Sequence, residues 1–197
     1  MLSQGIAGPR FEKPEEVVEW MGAMQAQDIR AAKWAVGLRI ASPSLTAVQE
    51  ALDTGRILRL HVMRPTWHYI PGRDIKWMTG LSTKGLLSKF RFYAKHFSLT
   101  EEDFLRSKPQ IEEVLSGQHL TSQEVLEQLH SKGIALDEPI VKMYLSFGEA
   151  DGTVCSGIEK NGKHTYALTC ERIPDAIELS HEEALACLLY TSDAADD

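Results

Sequence analysis

The sequence predicts an α-dominated α+β fold: tandem winged-helix units with short β-hairpin wings. Three observations predict it. Helical periodicity and helix caps account for most of the chain. Two strand-rich stretches, 57–70 and 153–169, each follow three helical segments. That helix–helix–helix–hairpin order occurs twice, at 14–70 and at 101–170, with no long linker between, so the two units are expected to pack together.

The first helix reads as 14–24. Pro14 suits the first turn, and Glu15 and Glu16 suit the positive end of the helix dipole. Val17, Val18, Met21 and Met24 form one apolar stripe. Asp28 is a cap for a second helix over 29–40, which holds Trp34, Val36 and Leu38. Ser44 opens a third, which Gly55 ends. The runs 57–63 and 66–70 are β-branched, aromatic and aliphatic, with Arg64-Pro65 between them, and predict a hairpin. A basic helix follows over 73–96. Its Phe90, Phe92 and Tyr93, with Phe97, are read as packing residues.

The second unit repeats the plan. Thr100 starts a helix that ends near Gly117. Thr121 and Glu124 form a capping box for a helix ending at Gly133, and 138–150 is the third helix. Two strand-like runs then flank the Asn161-Gly162 turn signal. The expected organisation is 1–98 for the first unit and its basic helix, 99–178 for the second, and 179–188 for the start of a further unit. Residues 189–197 are expected to be a non-native tail: LLYTSDAADD lacks an apolar period and looks like a translated sequencing-adapter read-through. The helix begun at 181 would then stop after about two turns. On this reading the chain is a fragment of a longer protein.

The chain has 197 residues, with 43% apolar and 25% charged side chains, an ordinary globular balance. No apolar run reaches the ~18–20 residues that a membrane helix needs. The first residues lack the charged and apolar regions of a signal peptide. Three cysteines without metal spacing point to a reduced, cytoplasmic protein. Taken as a total, the net charge of −7 argues against a nucleic-acid partner, but it is unevenly spread. Residues 1–98 carry 14 basic and 8 acidic side chains, net +6, whereas 99–197 are net −13. Between residues 54 and 95 there are nine basic residues and one acid, Asp74. Such a local field attracts polyanions whatever the total charge.

Four stretches together resemble one family: AGPRF (7–11), GAMQAQD (22–28) with WAVGLR (34–39), MRPTWH (63–68), and the unit ending GKHTYAL (162–168). They are similar to the AlkZ/YcaQ-type winged-helix DNA glycosylases, over nearly the whole chain to about residue 188. The resemblance implies tandem winged helices followed by a β-rich part that is absent here. It also implies catalysis by a Gln-x-Gln motif, matched by Gln25 and Gln27, and removal of N-alkylated purines or unhooking of interstrand crosslinks. The family's Met-Arg-x-Thr-x-His pattern is matched by Met63, Arg64, Thr66 and His68, with Pro65 where a small residue is usual.

Alkylation at N7 or N3 makes the purine cationic, so the departing base leaves neutral and the glycosidic bond is already weakened. A glutamine cannot deprotonate water, but its amide can orient one at the attacking position. In a regular helix, positions i and i+2 point about 200° apart, so Gln25 and Gln27 converge only if the chain is non-helical there. The Asp28 cap places a helix break at this point. Arg64 suits a phosphate contact, since its guanidinium matches phosphate oxygens. Thr66 and His68 belong to the same motif, and His68 reads either as a lesion or phosphate contact or as a satisfied strand histidine. Arg56, Arg59, Arg73 and Lys76 are expected DNA-backbone contacts. No metal spacing, Gly-rich phosphate loop or Ser-His-Asp set stands out, and no cofactor is expected.

The resulting expectation is a monofunctional, cytoplasmic, nucleoid-associated glycosylase. It would act as a monomer on double-stranded DNA carrying alkylated bases. The alternatives are a non-catalytic winged-helix DNA-binding protein or regulator, and a protein-interaction module whose basic strip meets an acidic partner.

Overall fold

The computed structural model describes residues 5, 6 and 11–194. The first unit consists of α1 (Pro14–Met21), β1 (Met24–Gln25), α2 (Ile29–Gly37), α3 (Leu45–Asp53), β2 (Ile57–His61) and β3 (Trp67–Pro71). Glu16 accepts from the Lys13 backbone N–H at the start of α1. Asp28 caps α2 by accepting from Arg30 and Ala31 N–H groups, and Ser44 caps α3 through the Ala47 N–H, as the sequence predicts. The strands form an antiparallel sheet in the order β1-β3-β2, with Met24 opposite Tyr69 and Gln25 opposite His68. The first helix therefore ends at Met21 and not at residue 24, and Met24 belongs to β1, a strand too short to leave a periodic signal.

Alternation along β2 and β3 divides the apolar side chains between two cores. Ile57 and Tyr69 enter the core of the first unit, with Val17, Val36 and Val48. Leu58, Leu60 and Ile70 face the opposite way, onto Ile75 and Met78 of α4 (Ile75–Ala94). At the end of β3 a Cβ on Gly72 would lie 1.8 Å from the Gly55 carbonyl oxygen, so only glycine allows this close approach.

The second unit consists of α5 (Glu101–Leu115), α6 (Ser122–Ser131), α7 (Glu138–Ala150), β4 (Val154–Ser156) and β5 (Tyr166–Leu168). Thr121 and Glu124 form the predicted capping box. Leu120 bridges Tyr166 antiparallel, so this unit reproduces the first unit's sheet order with a single residue in place of β1. Asn161 and Gly162 both take positive φ, 51° and 75°, as a tight hairpin turn requires. The helix α4 joins the units: Leu86, Phe90 and Ala94 pack into the second unit's core.

Two further sequence expectations are corrected. Phe90 is buried, but Phe92, Tyr93 and Phe97 are 61%, 45% and 41% exposed. The buried face of α4 runs through Ser82, Leu86, Phe90 and Ala94 at helical i+4 spacing, and Phe92 and Tyr93 fall outside it. The last helix, α9 (His181–Ala194), does not stop after two turns. Ser180 and Glu183 form a capping box there, and Ala184 is buried in the core shared with α4, so the helix has a start signal and packing that the sequence reading missed. Of the stretch 7–11 only Phe11 is described; it bridges Ile40 and packs on Trp20. The chain also folds a short helix, α8 (Thr169–Arg172), directly after β5.

Candidate functional site

The segment Met24–Asp28 leaves α1, pairs briefly with β3 and enters α2. Met24 and Ala26 are buried, whereas Gln25 and Gln27 are exposed. In extended chain, positions i and i+2 share a face. The chain is non-helical here, and the two exposed glutamines flank the buried Ala26, a pattern compatible with a common face. The Gln25 side chain has no hydrogen-bond partner among the described residues. The Gln27 side-chain oxygen accepts from the Trp67 backbone N–H at 3.3 Å, which leaves its NH2 group to donate outward. The Ala26 N–H donates to the Trp67 carbonyl at 2.7 Å.

Arg59 of β2 lies beneath this segment. Its Nε donates to the Ala26 carbonyl at 2.9 Å and its Nη2 to the Gln27 carbonyl at 3.3 Å. Its guanidinium carbon sits 4.2 Å from the centroid of the Trp67 ring, a cation–π arrangement. Burial holds its pKa below the ordinary arginine value, yet the group stays cationic.

The MRPTWH turn links β2 to β3. Met63 adopts φ 62°, a left-handed conformation unusual outside glycine. Two tight backbone bonds follow, Arg64 N–H to Val62 and Thr66 N–H to Arg64, and Pro65 is accommodated between them. The Met63 N–H donates to Ser82 Oγ, which ties the turn to α4. Arg64 is exposed and has no ion-pair partner among the described residues. Thr66 Oγ1 is buried without a partner. His68 is only 4% exposed, and its Nδ1 meets the Thr66 carbonyl at 2.8 Å. Burial, chiefly, pushes its pKa down.

The remaining expected DNA contacts face carboxylates. Arg56 pairs with Glu15 and Glu50, Arg73 with Glu19, and Lys76 with Glu178. The structure thus brings Arg59, Thr66, His68 and the two glutamines together around β3, and sets Arg56, Arg73 and Lys76 in ion pairs. Three residues that sequence reasoning did not single out complete the site's support. His61 Nδ1 lies 2.6 Å from Glu149, which is fully buried in α7. The rings of His61 and His164 both pack on the Trp67 ring, with centroids 4.2 and 4.5 Å from it. His164 Nε2 is buried without a partner although part of the residue reaches solvent, and burial pushes its pKa down to about 3, with Arg59 and His61 adding to the shift. These contacts span the two units, so no local sequence pattern announces them.

Among the described residues no group of His, Cys, Asp and Glu could hold a metal ion, and no helix is long and apolar enough to cross a membrane. None of the three cysteines forms a disulfide; Cys155 is buried, and its thiol is pushed up to about 12, which leaves it unreactive.

The comparisons with known proteins agree with this architecture. The model of the family described as DNA glycosylase AlkZ-like matches residues 18–192, and the chain belongs to that family. Among solved structures, the Streptomyces sahachiroi DNA glycosylase AlkZ superposes with a TM-score of 0.77 at 19% sequence identity. The match covers 100% of this chain and 55% of that one, so the chain spans about half the length of the structure it resembles. At this identity the likeness shows the fold. No curated protein matches the chain.

Proposed function

We propose that the chain carries the catalytic half of a monofunctional DNA glycosylase, which hydrolyses the N-glycosidic bond of cationic N7- or N3-alkylated purines. The observation that carries the reading is the exposure of Gln25 and Gln27 on either side of the buried Ala26, in non-helical chain at and just after the end of β1. Gln25 orients a water through its free amide, and Gln27 offers donors while its oxygen is held by Trp67. The water oxygen bonds to C1′ as the C1′–N bond breaks, and the bonding pair passes to the base, which leaves neutral. The water's proton goes to solvent, since neither glutamine titrates near neutral pH. The amide oxygens favour the cationic sugar of the transition state. Two solvent-exposed glutamines could reach a bulky base that is not fully drawn out of the duplex, so interstrand crosslinks are proposed as further substrates.

Arg64, exposed and unpaired, is the phosphate contact expected to matter most. Arg56, Arg73 and Lys76 contribute less, because each already faces a carboxylate. Thr66 and His68 hold the turn that carries Arg64. No lysine stands in the Gln-x-Gln motif to form a Schiff base, so no strand cleavage is proposed. The protein is read as a cytoplasmic, nucleoid-associated monomer. The regulator alternative is disfavoured by α3, the helix that would read the major groove: it carries no Lys or Arg. Its last carbonyls, at Leu52 and Asp53, accept from Arg172 of the second unit.

The test is base release from duplex DNA carrying N7-methylguanine, counted as abasic sites. In Gln25→Ala/Gln27→Ala, excision should fall by about a hundredfold or more. Duplex affinity should be unchanged. A double variant that excises like the parent sinks the mechanism; a sequence-specific footprint without base release would establish the regulator instead.

A further inference from the structure

We infer that Arg59 is a positioning residue for the two glutamines, holding the peptide carbonyls that aim them, rather than a DNA-phosphate contact. The inference rests on the glycosylase reading for its kinetic consequence, but its geometry stands apart from it. Two successive carbonyls, those of Ala26 and Gln27, are engaged by one guanidinium, at 2.9 and 3.3 Å. Trp67 closes the circuit from the other side. Its carbonyl accepts from the Ala26 N–H, and its own N–H holds the Gln27 side chain. The Trp67 ring lies against the guanidinium plane. The Ala26 peptide is thus held at both its N–H and its C=O, and the Gln27 residue at both its carbonyl and its side chain.

The residue type matters. A planar fork reaches two neighbouring carbonyls while stacked on an aromatic face; a lysine ammonium is a point donor on a flexible stem. Arg59 has no ion-pair partner among the described residues, unlike Arg56, Arg73 and Lys76, so its charge is directed at backbone dipoles. Its own N–H donates to Ser156 Oγ of β4 at 2.9 Å, which anchors this point of β2 to the second unit. A misplacement of the attacking water by about 1 Å can cost on the order of a hundredfold in rate, which makes such a clamp consequential.

The experiment compares Arg59→Lys, Gln27→Ala and the double variant in the full chain. Arg59→Lys should lower the excision rate constant by about tenfold or more. The affinity for duplex DNA and its salt dependence should be unchanged. In the Gln27→Ala background Arg59→Lys should cost little further, because the two residues act as one unit. Independently of catalysis, the Gln27 side-chain NH2 resonances should move toward those of a free glutamine in Arg59→Lys. Weaker DNA binding with a salt slope reduced by about 1 and an unchanged rate constant would make Arg59 a phosphate contact and overturn the inference. Additive rate losses, or unmoved Gln27 resonances, would overturn it too. Should Arg59→Lys not fold, Trp67→Phe, which keeps the backbone N–H and alters the ring under the guanidinium, should shift the same resonances in the same direction, and their failure to move overturns the inference. If the parent chain excises nothing while the resonances still respond, the positioning stands and the glycosylase reading falls.

Discussion

In the second unit, Leu120 pairs with Tyr166 and is followed at once by the helix cap Thr121. In the first unit, Met24 pairs with Tyr69, and Gln25, Ala26 and Gln27 come before the cap Asp28. The sheets otherwise share one order, and both strands following the wing carry a tyrosine at the matching position. The candidate site is therefore these three residues placed on a scaffold that the second unit carries without them. The second unit supplies support instead: Glu149, His164 and Ser156 all press on the strands that hold the site. A repeated fold thus divides its work, one copy presenting the polar residues and the other holding them still.

The largest expected effect breaks the seam between the copies. His61→Ala would leave the carboxylate of Glu149, fully buried and with Oε1 already unpartnered, without the side-chain partner it has among the described residues. The cost should be about 3–5 kcal/mol in urea unfolding. Replacing both residues by leucine should recover most of it, because buried pairs are often matched by apolar packing of similar volume. A single variant as stable as the parent would show that the seam contributes little.

A second test uses pH. His164 is held neutral in the fold, with a pKa of about 3, whereas an unfolded histidine titrates near its ordinary value. The folded pKa is the lower one, so its contribution is complete above about pH 6.5 and is lost as pH falls. Between about pH 6.5 and pH 4.5 the loss should be on the order of 1 kcal/mol per pH unit. His68 and His119 shift in the same direction and add to it. His164→Gln should flatten this acid limb; equal slopes in the variant and the parent would discard the assignment.

The smallest effect separates the two caps. Asp28→Ala and Thr121→Ala should each cost about 1 kcal/mol of stability. Only Asp28→Ala should also slow excision, by a few-fold, since it frees the end of the Gln25–Gln27 segment. If both variants excise alike, the three additional residues are not what distinguishes the units.

The sequence by itself determined most of the helices, several of their caps and the wings. Asp28, Ser44, Thr121 and the Asn161-Gly162 turn act through contacts within a few residues, and local contacts are what periodicity and turn chemistry report. It also marked Gln25 and Gln27, through a resemblance and through the helix break at Asp28. Only the tertiary structure decided that these glutamines are exposed around a buried alanine in non-helical chain, because β1 exists by pairing with a strand more than forty positions away in sequence. Only it decided which cations are engaged: Arg59 under two backbone carbonyls, Arg56 between two glutamates, Arg64 exposed. Charge counted along a chain says how many cations a stretch holds. Which of them meet a carboxylate, a carbonyl or solvent depends on the packing of distant segments.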